Sequence, residues 1–319
     1  MMKALRFSQY GPPSVLVLED RERPILRDGE SLIRVEAASL NPSDVKNVAG
    51  AFKSPLPRTP GRDYAGVVVD GAGKGREVWS SGAGFGVGRD GAHAQFVAVP
   101  ADWLADKPSN LSMAEAAAIG VPFLTAWSGL VDGAEIKPGE TVLVTGAAGA
   151  VGRAVIQLAH WKGARVIAAD IADRPSDADI RINIKTGDVV AEVRSATEGK
   201  GADIVFDAVG GELFELCLRS LRPRGRQIAI TSVGNRRVSF DLLDFYHNRS
   251  HLIGVDSLKL DGPEIAAILD ALKPGFESGR LKPFEVQTWP FNKSVEAYET
   301  AAKGGPTKQI LLPQHVSGE

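Results

Sequence analysis

Apolar positions follow two different rhythms along this chain. Before about residue 118 they form short runs, at 32–35, 67–69 and 95–99, which are bounded by glycine and proline turns and predict β-strands. Many short strands of this kind favour a compact barrel or sandwich. The first clear helix signal comes next, where Ser112 and Glu115 have the spacing of a capping box.

From about residue 120 to residue 283, apolar runs of strand length alternate with segments of helical periodicity, which is typical of a parallel sheet covered by helices. Strands are predicted at 141–144, 165–169, 180–184, 202–206, 226–230 and 252–255, and helices at 189–197, 213–221 and 265–272. A helix at 294–302 and a strand at 309–312 follow. We therefore predict three segments: a first domain over residues 1–119, a dinucleotide-binding domain over 120–283, and a return to the first domain over 284–319.

One stretch, TVLVTGAAGAVG at 141–152, combines a buried strand, a glycine turn and the start of a helix. Gly146, Gly149 and Gly152 allow a tight turn and a close approach of the backbone to a pyrophosphate, and the helix start offers free N–H groups. Ala147 takes the place of the first glycine of the usual dinucleotide fingerprint. The pattern predicts a dinucleotide site, and the alternative is a strand–helix turn that binds nothing.

Composition narrows the class of protein and of partner. The 319 residues are 44% hydrophobic and 24% charged with a net charge of −2, so no basic excess points to nucleic acid. No apolar run reaches membrane-spanning length, and the N-terminus lacks the apolar core of a secretory signal. A single cysteine, Cys217, excludes an internal disulfide and favours the reducing cytoplasm. His247 and His251 are interpreted as ordinary histidines, and no metal site is predicted.

Several segments together are similar to one known family. They are MKALRFSQYGPPSVL at the start, SLNPSDVKNVAG at 39–50, PGRDYAGVV at 60–68, LSMAEAAAIGVPFLTAW at 111–127, IKPGETVLVTGAAGAVG at 136–152, FDAVGG at 206–211 and LIGVDS at 252–257. On these segments the chain resembles the medium-chain dehydrogenase/reductase superfamily, in its zinc-free quinone oxidoreductase (zeta-crystallin-like) branch. The resemblance implies an α/β protein: a GroES-like β-barrel catalytic domain plus a Rossmann domain with a doubly wound parallel sheet.

The resemblance also implies an activity, which is hydride transfer between NAD(P)H and a small-molecule quinone, enone or carbonyl, with the cofactor in the cleft between the domains. It further implies a homodimer joined through edge strands near 252–257. Zinc-dependent members place a cysteine and a histidine where this chain has Asn41 and Arg62, so no catalytic zinc is expected. An acceptor that is already electron-poor, a quinone or an enone, then suits the chemistry best. The alternatives are an alcohol or aldehyde dehydrogenase that acts without zinc and a weakly catalytic nucleotide-binding protein.

Candidate site residues follow from their positions in the matching motifs. The resemblance implies that Asn41, Asp44 and Thr125 are catalytic-site residues lining the nicotinamide and substrate cleft. Asp44 is interpreted equally well as a helix cap, and Thr125 as a hydroxyl inside a helix. The residues implied to bind the cofactor are Ala148, Gly149, Ala150, Val151, Asp170, Val209, Ser232 and Val233.

Asp170 bears on the choice between NADH and NADPH. It ends the second strand of the predicted parallel sheet, where a carboxylate accepts hydrogen bonds from the ribose hydroxyls and repels a 2′-phosphate. Arg174 and Lys185 lie nearby in sequence and could instead receive that phosphate. We predict a preference for NADH, and the alternative role of Asp170 is that of a capping or surface aspartate.

Overall fold

The computed structural model describes residues 1–171 and 176–316. Its contacts separate the chain into two compact units. Unit 1 contains residues 1–121 together with the segment from Leu258 onward, and unit 2 contains Pro122–Ser257. Within the described ranges, no helix combines the length and the apolar character needed to cross a bilayer.

The strands and helices that the sequence pattern predicts are present in the predicted order, and the structure adds others that the pattern did not predict. The strands are β1 (Met2–Arg6), β2 (Val17–Arg21), β3 (Glu30–Ser39), β4 (Asp63–Gly71), β5 (Glu77–Ser80), β6 (Phe96–Pro100), β7 (Ala105–Asp106), β8 (Thr141–Thr145), β9 (Arg165–Asp170), β10 (Ile180–Asn183), β11 (Ala202–Asp207), β12 (Leu221–Ala229), β13 (His251–Gly254), β14 (Val286–Pro290) and β15 (Lys308–Leu312). The helices are α1 (Pro42–Val48), α2 (Met113–Ala117), α3 (Gly120–Trp127), α4 (Ala150–Trp161), α5 (Val189–Ala196), α6 (Phe214–Arg219), α7 (Leu242–His247), α8 (Gly262–Glu277) and α9 (Ser294–Lys303).

Unit 1 is built on a mostly antiparallel sheet. Its strand order is β14-β15-β3-β4-β5-β7, with β6 also paired to β3, and a separate β1–β2 pair accompanies it. The long strands β3 and β4 supply Ile33, Val35 and Tyr64 to a core that Val78 and Val99 complete. From Glu30 to Ala37, β3 alternates buried and more exposed residues, as a sheet with one buried face requires, whereas the first four residues of β4 are all buried.

Unit 2 is built on a parallel sheet, which confirms the pattern predicted for this part of the chain. The strand order is β10-β9-β8-β11-β12-β13, and every neighbouring pair is parallel. Leu143, Ile167 and Val205 project from the central strands into a core with Val193 of α5 and Leu218 of α6. Strands buried in this way read as continuous apolar runs, which is why the sequence reveals them.

The second boundary between the units differs from the predicted one. Residues 258–283 were predicted to belong to the dinucleotide-binding domain, but they pack within unit 1. The apolar face of α8 ends at Phe276, whose ring meets the ring of Trp79 on β5 edge-on at 5.9 Å. The Asn110 side chain also donates to the Phe276 carbonyl at 2.9 Å. Helical periodicity showed that α8 has a buried face, but not which sheet that face covers.

Four parallel strands of unit 2 bring their carboxyl ends to the same edge of the sheet. β8 ends at Thr145, β9 at Asp170, β11 at Asp207 and β12 at Ala229. In open α/β sheets, ligands bind at this edge, next to the point where the strand order reverses. The fold therefore places the glycine turn, Asp170 and the segment around Val209 in one region.

Candidate functional site

The glycine turn between β8 and α4 is shaped by its own backbone. Gly146 has a φ of +63°, and its carbonyl accepts the N–H of Gly149 at 3.0 Å. A Cβ atom at Gly152 would lie 2.4 Å from the Gly146 oxygen and 2.7 Å from the Cα of Ala147. Neither backbone atom can move far without opening the turn, so a side chain at Gly152 is incompatible with this conformation.

The start of α4 offers hydrogen-bond donors to a ligand. Ala150, Val151 and Gly152 form the first turn, where backbone N–H groups have no carbonyl partner within the helix. The N-cap residue, Gly149, is exposed and has no side chain that could cap this end. The positive end of the helix dipole lies here as well. The arrangement fits an anion such as the pyrophosphate of a dinucleotide.

Asp170 lies at the same turn. Its Oδ2 atom accepts the N–H of Ala148 at 2.8 Å, and its side chain is half-buried. The carboxylate therefore holds the glycine turn in addition to any bond it makes to a ribose. Lys185 is exposed and its backbone N–H donates to Asn183 Oδ1, whereas Arg174 lies outside the described residues.

Asp207 anchors the segment that contains Val209. Its buried Oδ1 atom accepts the Thr145 hydroxyl at 2.7 Å, the Val209 N–H at 3.1 Å and the Gly210 N–H at 2.8 Å. Val209 in turn accepts the N–H of Val233 at 2.8 Å. Asp207 was not among the candidate site residues, and its position at the end of a buried strand, like that of Asp170, was the available signal.

The remaining two candidates of this unit differ in exposure. Ser232 is exposed, and its hydroxyl donates to the Asn235 carbonyl at 2.8 Å. Thr125 is buried on α3, and its hydroxyl donates to Ser257 Oγ at 3.0 Å. The structure thus groups the glycine turn, Asp170, Val209 and Val233, while Thr125 is paired with a serine.

Asn41 and Asp44 form part of a buried polar cluster in unit 1. Asp44 Oδ2 accepts the backbone N–H of Asn41 at 2.8 Å, which is the helix-capping role that the sequence allowed. The Asn41 amide is held at both ends: its nitrogen donates to Asp63 Oδ2 at 2.7 Å, and its oxygen accepts from Lys308 Nζ at 2.6 Å.

Asp63 and Lys308 were not predicted as members of this cluster. Both are buried; Asp63 also accepts the Ser81 hydroxyl and the N–H of Val121, and Lys308 also donates to the Leu40 carbonyl at 3.3 Å. Asp44, Asp63 and Lys308 are spread along the chain with no common spacing. The only hints in the sequence were that Asp63 follows Arg62 and that Lys308 directly precedes the strand predicted at 309–312.

Burial shifts the pKa of two groups in unit 1. Burial raises the pKa of Asp44 to about 6, against the opposing charges of Arg62 and Lys308. Burial lowers the pKa of His93 to about 4. The His93 ring bridges the Ser39 carbonyl, 3.2 Å from Nε2, and the Tyr298 hydroxyl, 2.8 Å from Nδ1. Because a carbonyl only accepts, Nε2 carries the proton and Nδ1 accepts from the tyrosine.

Across residues 1–171 and 176–316, no three His, Cys, Asp or Glu side chains come together in a way that could hold a metal ion. Asn41, whose amide is paired at both ends, and Arg62, which carries a positive charge, do not supply ligands of the kind that zinc prefers.

Comparison with known proteins gives consistent matches. The model of the zinc-binding dehydrogenase family matches residues 150–273, and that of the alcohol dehydrogenase GroES-like domain matches residues 27–109. A zinc-type alcohol dehydrogenase-like protein of Schizosaccharomyces pombe is 38% identical over 291 residues, covering 88% of this chain and 87% of that protein. The quinone oxidoreductase of Homo sapiens is 31% identical over 329 residues, covering 98% of each chain. The structure of a mycobacterial quinone oxidoreductase superimposes with a TM-score of 0.86 at 26% identity, covering 98% of this chain and 100% of that one.

Proposed function

Because the chain belongs to the medium-chain dehydrogenase/reductase superfamily of NAD(P)H-dependent oxidoreductases, we propose that it is a zinc-independent reductase that transfers hydride to a quinone or an α,β-unsaturated carbonyl. The observation that carries this proposal is the glycine turn, with its open helix start and the carboxylate of Asp170 beside it. The quinone oxidoreductases among the relatives support the acceptor class.

The residues around the turn fit a nicotinamide dinucleotide. The N–H groups of Ala150 and Val151 would hold the pyrophosphate, with Ala148 and Gly149 forming the wall of the turn. Asp170 would bind the ribose of the adenosine half, and Val209 and Val233 would flank the cofactor. When bound, the nicotinamide supplies the hydride. The protein's contribution is to bind and orient the donor so that hydride reaches the acceptor in a defined geometry.

The acceptor class follows from the side chains that unit 1 provides. A simple ketone or aldehyde is a poor hydride acceptor unless its carbonyl is polarised, which zinc does in many dehydrogenases. Asn41 and Arg62 are not zinc ligands, so these positions do not supply that polarisation. A quinone or an enone is electron-poor already, and it accepts hydride at a ring position or at the β-carbon.

Three further properties belong to the proposal. Asp170 supports a preference for NADH over NADPH. A homodimer is supported by β13, which lies at the end of the strand order and pairs with β12 on one side, leaving His251 and Leu252 exposed. A cytoplasmic location is supported by the single cysteine, which suits a reducing compartment.

The test is a matrix of two cofactors and three acceptor panels. Oxidation of NADH and of NADPH is followed at constant pH with quinones, enones and aldehydes, alongside direct cofactor titration. We expect turnover with quinones or enones and little with aldehydes. Turnover restricted to aldehydes would establish the alcohol or aldehyde dehydrogenase alternative. Tight cofactor binding without turnover in any panel would establish a weakly catalytic nucleotide-binding protein.

A further inference from the structure

Unit 1 contains a cavity of about 680 Å³ that the proposed reductase function does not use. It lies among β1, the segment from Arg21 to Glu30, the loop that contains Phe85 and Arg89, and β6. All of its lining residues belong to unit 1, so its shape depends on that unit alone. Cavities that bind small molecules in proteins have volumes of about 300–1,000 Å³, so this one is large enough for a small organic ligand.

Aromatic rings form much of the apolar wall of this unit 1 cavity. Phe85 and Phe96 are buried and Trp103 is half-buried, and all three line the cavity. Ile25 also lines it, although 88% of that residue is exposed. A flat apolar ligand would cover rings and an aliphatic side chain that water now contacts, and burial of apolar surface favours binding.

Arg89 is a cation held in a fixed position on this wall. Its guanidinium carbon lies 4.7 Å from the centroid of the Phe85 ring and 5.1 Å from the centroid of the Trp103 ring. Its Nη2 atom donates to the carbonyl of Ala98 at 2.9 Å. Its backbone N–H donates to the carbonyl of Gly84 at 3.0 Å, which fixes the loop as well. A guanidinium has five N–H donors, so a side chain held in this way still has donors for a ligand in the cavity.

The charged residues that line the unit 1 cavity leave one net positive charge. They are four arginines and three carboxylates: Arg6, Arg21, Arg27, Arg89, Glu22, Glu30 and Asp90. Asp90 is already paired with Arg6 at 3.1 Å and with Arg58 at 3.4 Å. Among residues 1–171 and 176–316, no carboxylate forms an ion pair with Arg21, Arg27 or Arg89. The cavity therefore favours a ligand with one negative charge.

We propose that the unit 1 cavity is a binding site for an aromatic monocarboxylate, in addition to the cofactor site of unit 2. The guanidinium of Arg89 binds the carboxylate, and the rings of Phe85, Phe96 and Trp103 contact the aromatic body. Arg21 and Arg27, which are exposed, attract the anion to the cavity.

The geometry of the charged group favours a carboxylate over the other aromatic ligands that would fit. A guanidinium donates two parallel N–H bonds to the two oxygens of a carboxylate, and such charge-assisted bonds are about twice as strong as neutral ones. A phosphate monoester carries about 1.5–2 negative charges at pH 7, which is more than the net charge of the lining residues. A neutral aromatic compound would leave the charge of Arg89 without a partner.

The first experiment compares two ligands of the same shape on wild-type protein. 2-Naphthoate has a flat aromatic body and one carboxylate, and 2-naphthamide has the same rings with a neutral amide. Isothermal titration calorimetry without nicotinamide cofactor gives the Kd and the stoichiometry of each. We expect one 2-naphthoate per chain and a Kd at least tenfold higher for 2-naphthamide, because the amide loses the charge-assisted bond.

The second experiment compares variants with 2-naphthoate as the ligand. Arg89→Met removes the charge and should raise the Kd at least tenfold. Arg89→Lys keeps the charge but loses the planar fork, so its Kd should lie between those of Arg89→Met and wild type. Lys74→Met is the matched control, because Lys74 is exposed and does not line the cavity, and its Kd should stay within twofold of wild type.

One further variant distinguishes this cavity from the cofactor site. Gly149→Val changes the glycine turn of unit 2, and its Kd for 2-naphthoate should stay within twofold of wild type. Thermal unfolding identifies any variant that has lost its fold, and the comparison of the two ligands on wild type needs no variant. None of these titrations requires turnover, so their outcome is independent of the proposed reductase function.

Several results would overturn the proposal. They are failure of wild-type protein to bind 2-naphthoate at millimolar concentration, equal affinity for 2-naphthamide, and an unchanged Kd in a folded Arg89→Met variant. Loss of 2-naphthoate binding in a folded Gly149→Val variant would also overturn it, since the ligand would then occupy the cofactor site.

Discussion

Asp170 should decide which nicotinamide cofactor the protein uses, and the structure suggests a sharp way to show it. The carboxylate does two things at once: it carries a negative charge beside the expected position of the ribose, and it accepts the Ala148 N–H at 2.8 Å. Asp170→Asn keeps an oxygen acceptor and removes the charge. Asp170→Ser removes the charge and is too short to keep the same hydrogen bond. The pair of variants therefore separates cofactor choice from support of the turn.

The two effects have different expected sizes. If a 2′-phosphate comes within about 4 Å of the carboxylate, their repulsion is about 4 kcal/mol at an effective dielectric constant near 20, before salt screening. A tenfold preference needs only about 1.4 kcal/mol, so a strongly screened repulsion still gives a measurable effect. A hydrogen bond to a charged group contributes about 1.5–3 kcal/mol, and its loss weakens the turn for both cofactors equally.

The assay is kcat/KM for NADH and for NADPH with one acceptor, at fixed ionic strength, in wild type and both variants. We expect wild type to favour NADH at least tenfold. Asp170→Asn should bring the ratio close to one while keeping most of the affinity for NADH, and Asp170→Ser should bring the ratio close to one while weakening both cofactors. A wild-type preference for NADPH, or an unchanged ratio in Asp170→Asn, would refute this reasoning and direct attention to Lys185.

Four further outcomes are expected. Gly149→Val should weaken NADH binding at least tenfold in a fluorescence titration with little loss of fold, because a branched side chain at this exposed turn takes the place of the pyrophosphate; unchanged affinity would move the site elsewhere. His93, whose folded pKa of about 4 lies below the usual 6.5, binds protons more readily in the unfolded chain, so its contribution to stability is present above pH 6.5 and is lost as the pH falls toward 4. In urea unfolding, the free energy of unfolding of wild type should exceed that of His93→Gln by about 2 kcal/mol less at pH 5 than at pH 7. A difference that does not change with pH would contradict this prediction. Elemental analysis of purified protein should find no stoichiometric zinc, since Asn41 and Arg62 are not zinc ligands; one tightly held zinc per chain would end this view. Light scattering at micromolar concentration should give the mass of a dimer, and a strictly monomeric mass would exclude pairing through β13.

Local patterns in the sequence were sufficient for much of the fold. Buried parallel strands are continuous apolar runs, and helices carry a 3.6-residue period, so the alternation from β8 to β13 could be predicted directly. The start of α2 is another example, since Ser112 and Glu115 exchange the two bonds of a capping box at 3.2 and 2.8 Å. The glycine turn is also a local feature, because Gly146 has a φ of +63° and a Cβ atom at Gly152 would meet the backbone of Gly146 and Ala147.

Tertiary structure alone decided how distant polar groups meet. Asn41, Asp63 and Lys308 are separated by 22 and 245 residues, and no spacing rule connects them until β3, β4 and β15 pair in one sheet. The unpaired N–H groups of Arg62 follow from the same folding, because burial and the positions of neighbouring acceptors are properties of the packed unit. Asp170 shows the difference most directly: the sequence placed it at the end of a strand, and the folded chain turned its carboxylate to the Ala148 N–H. Secondary structure depends on contacts along the chain, whereas the direction and partner of a side chain depend on which strands and helices pack against it.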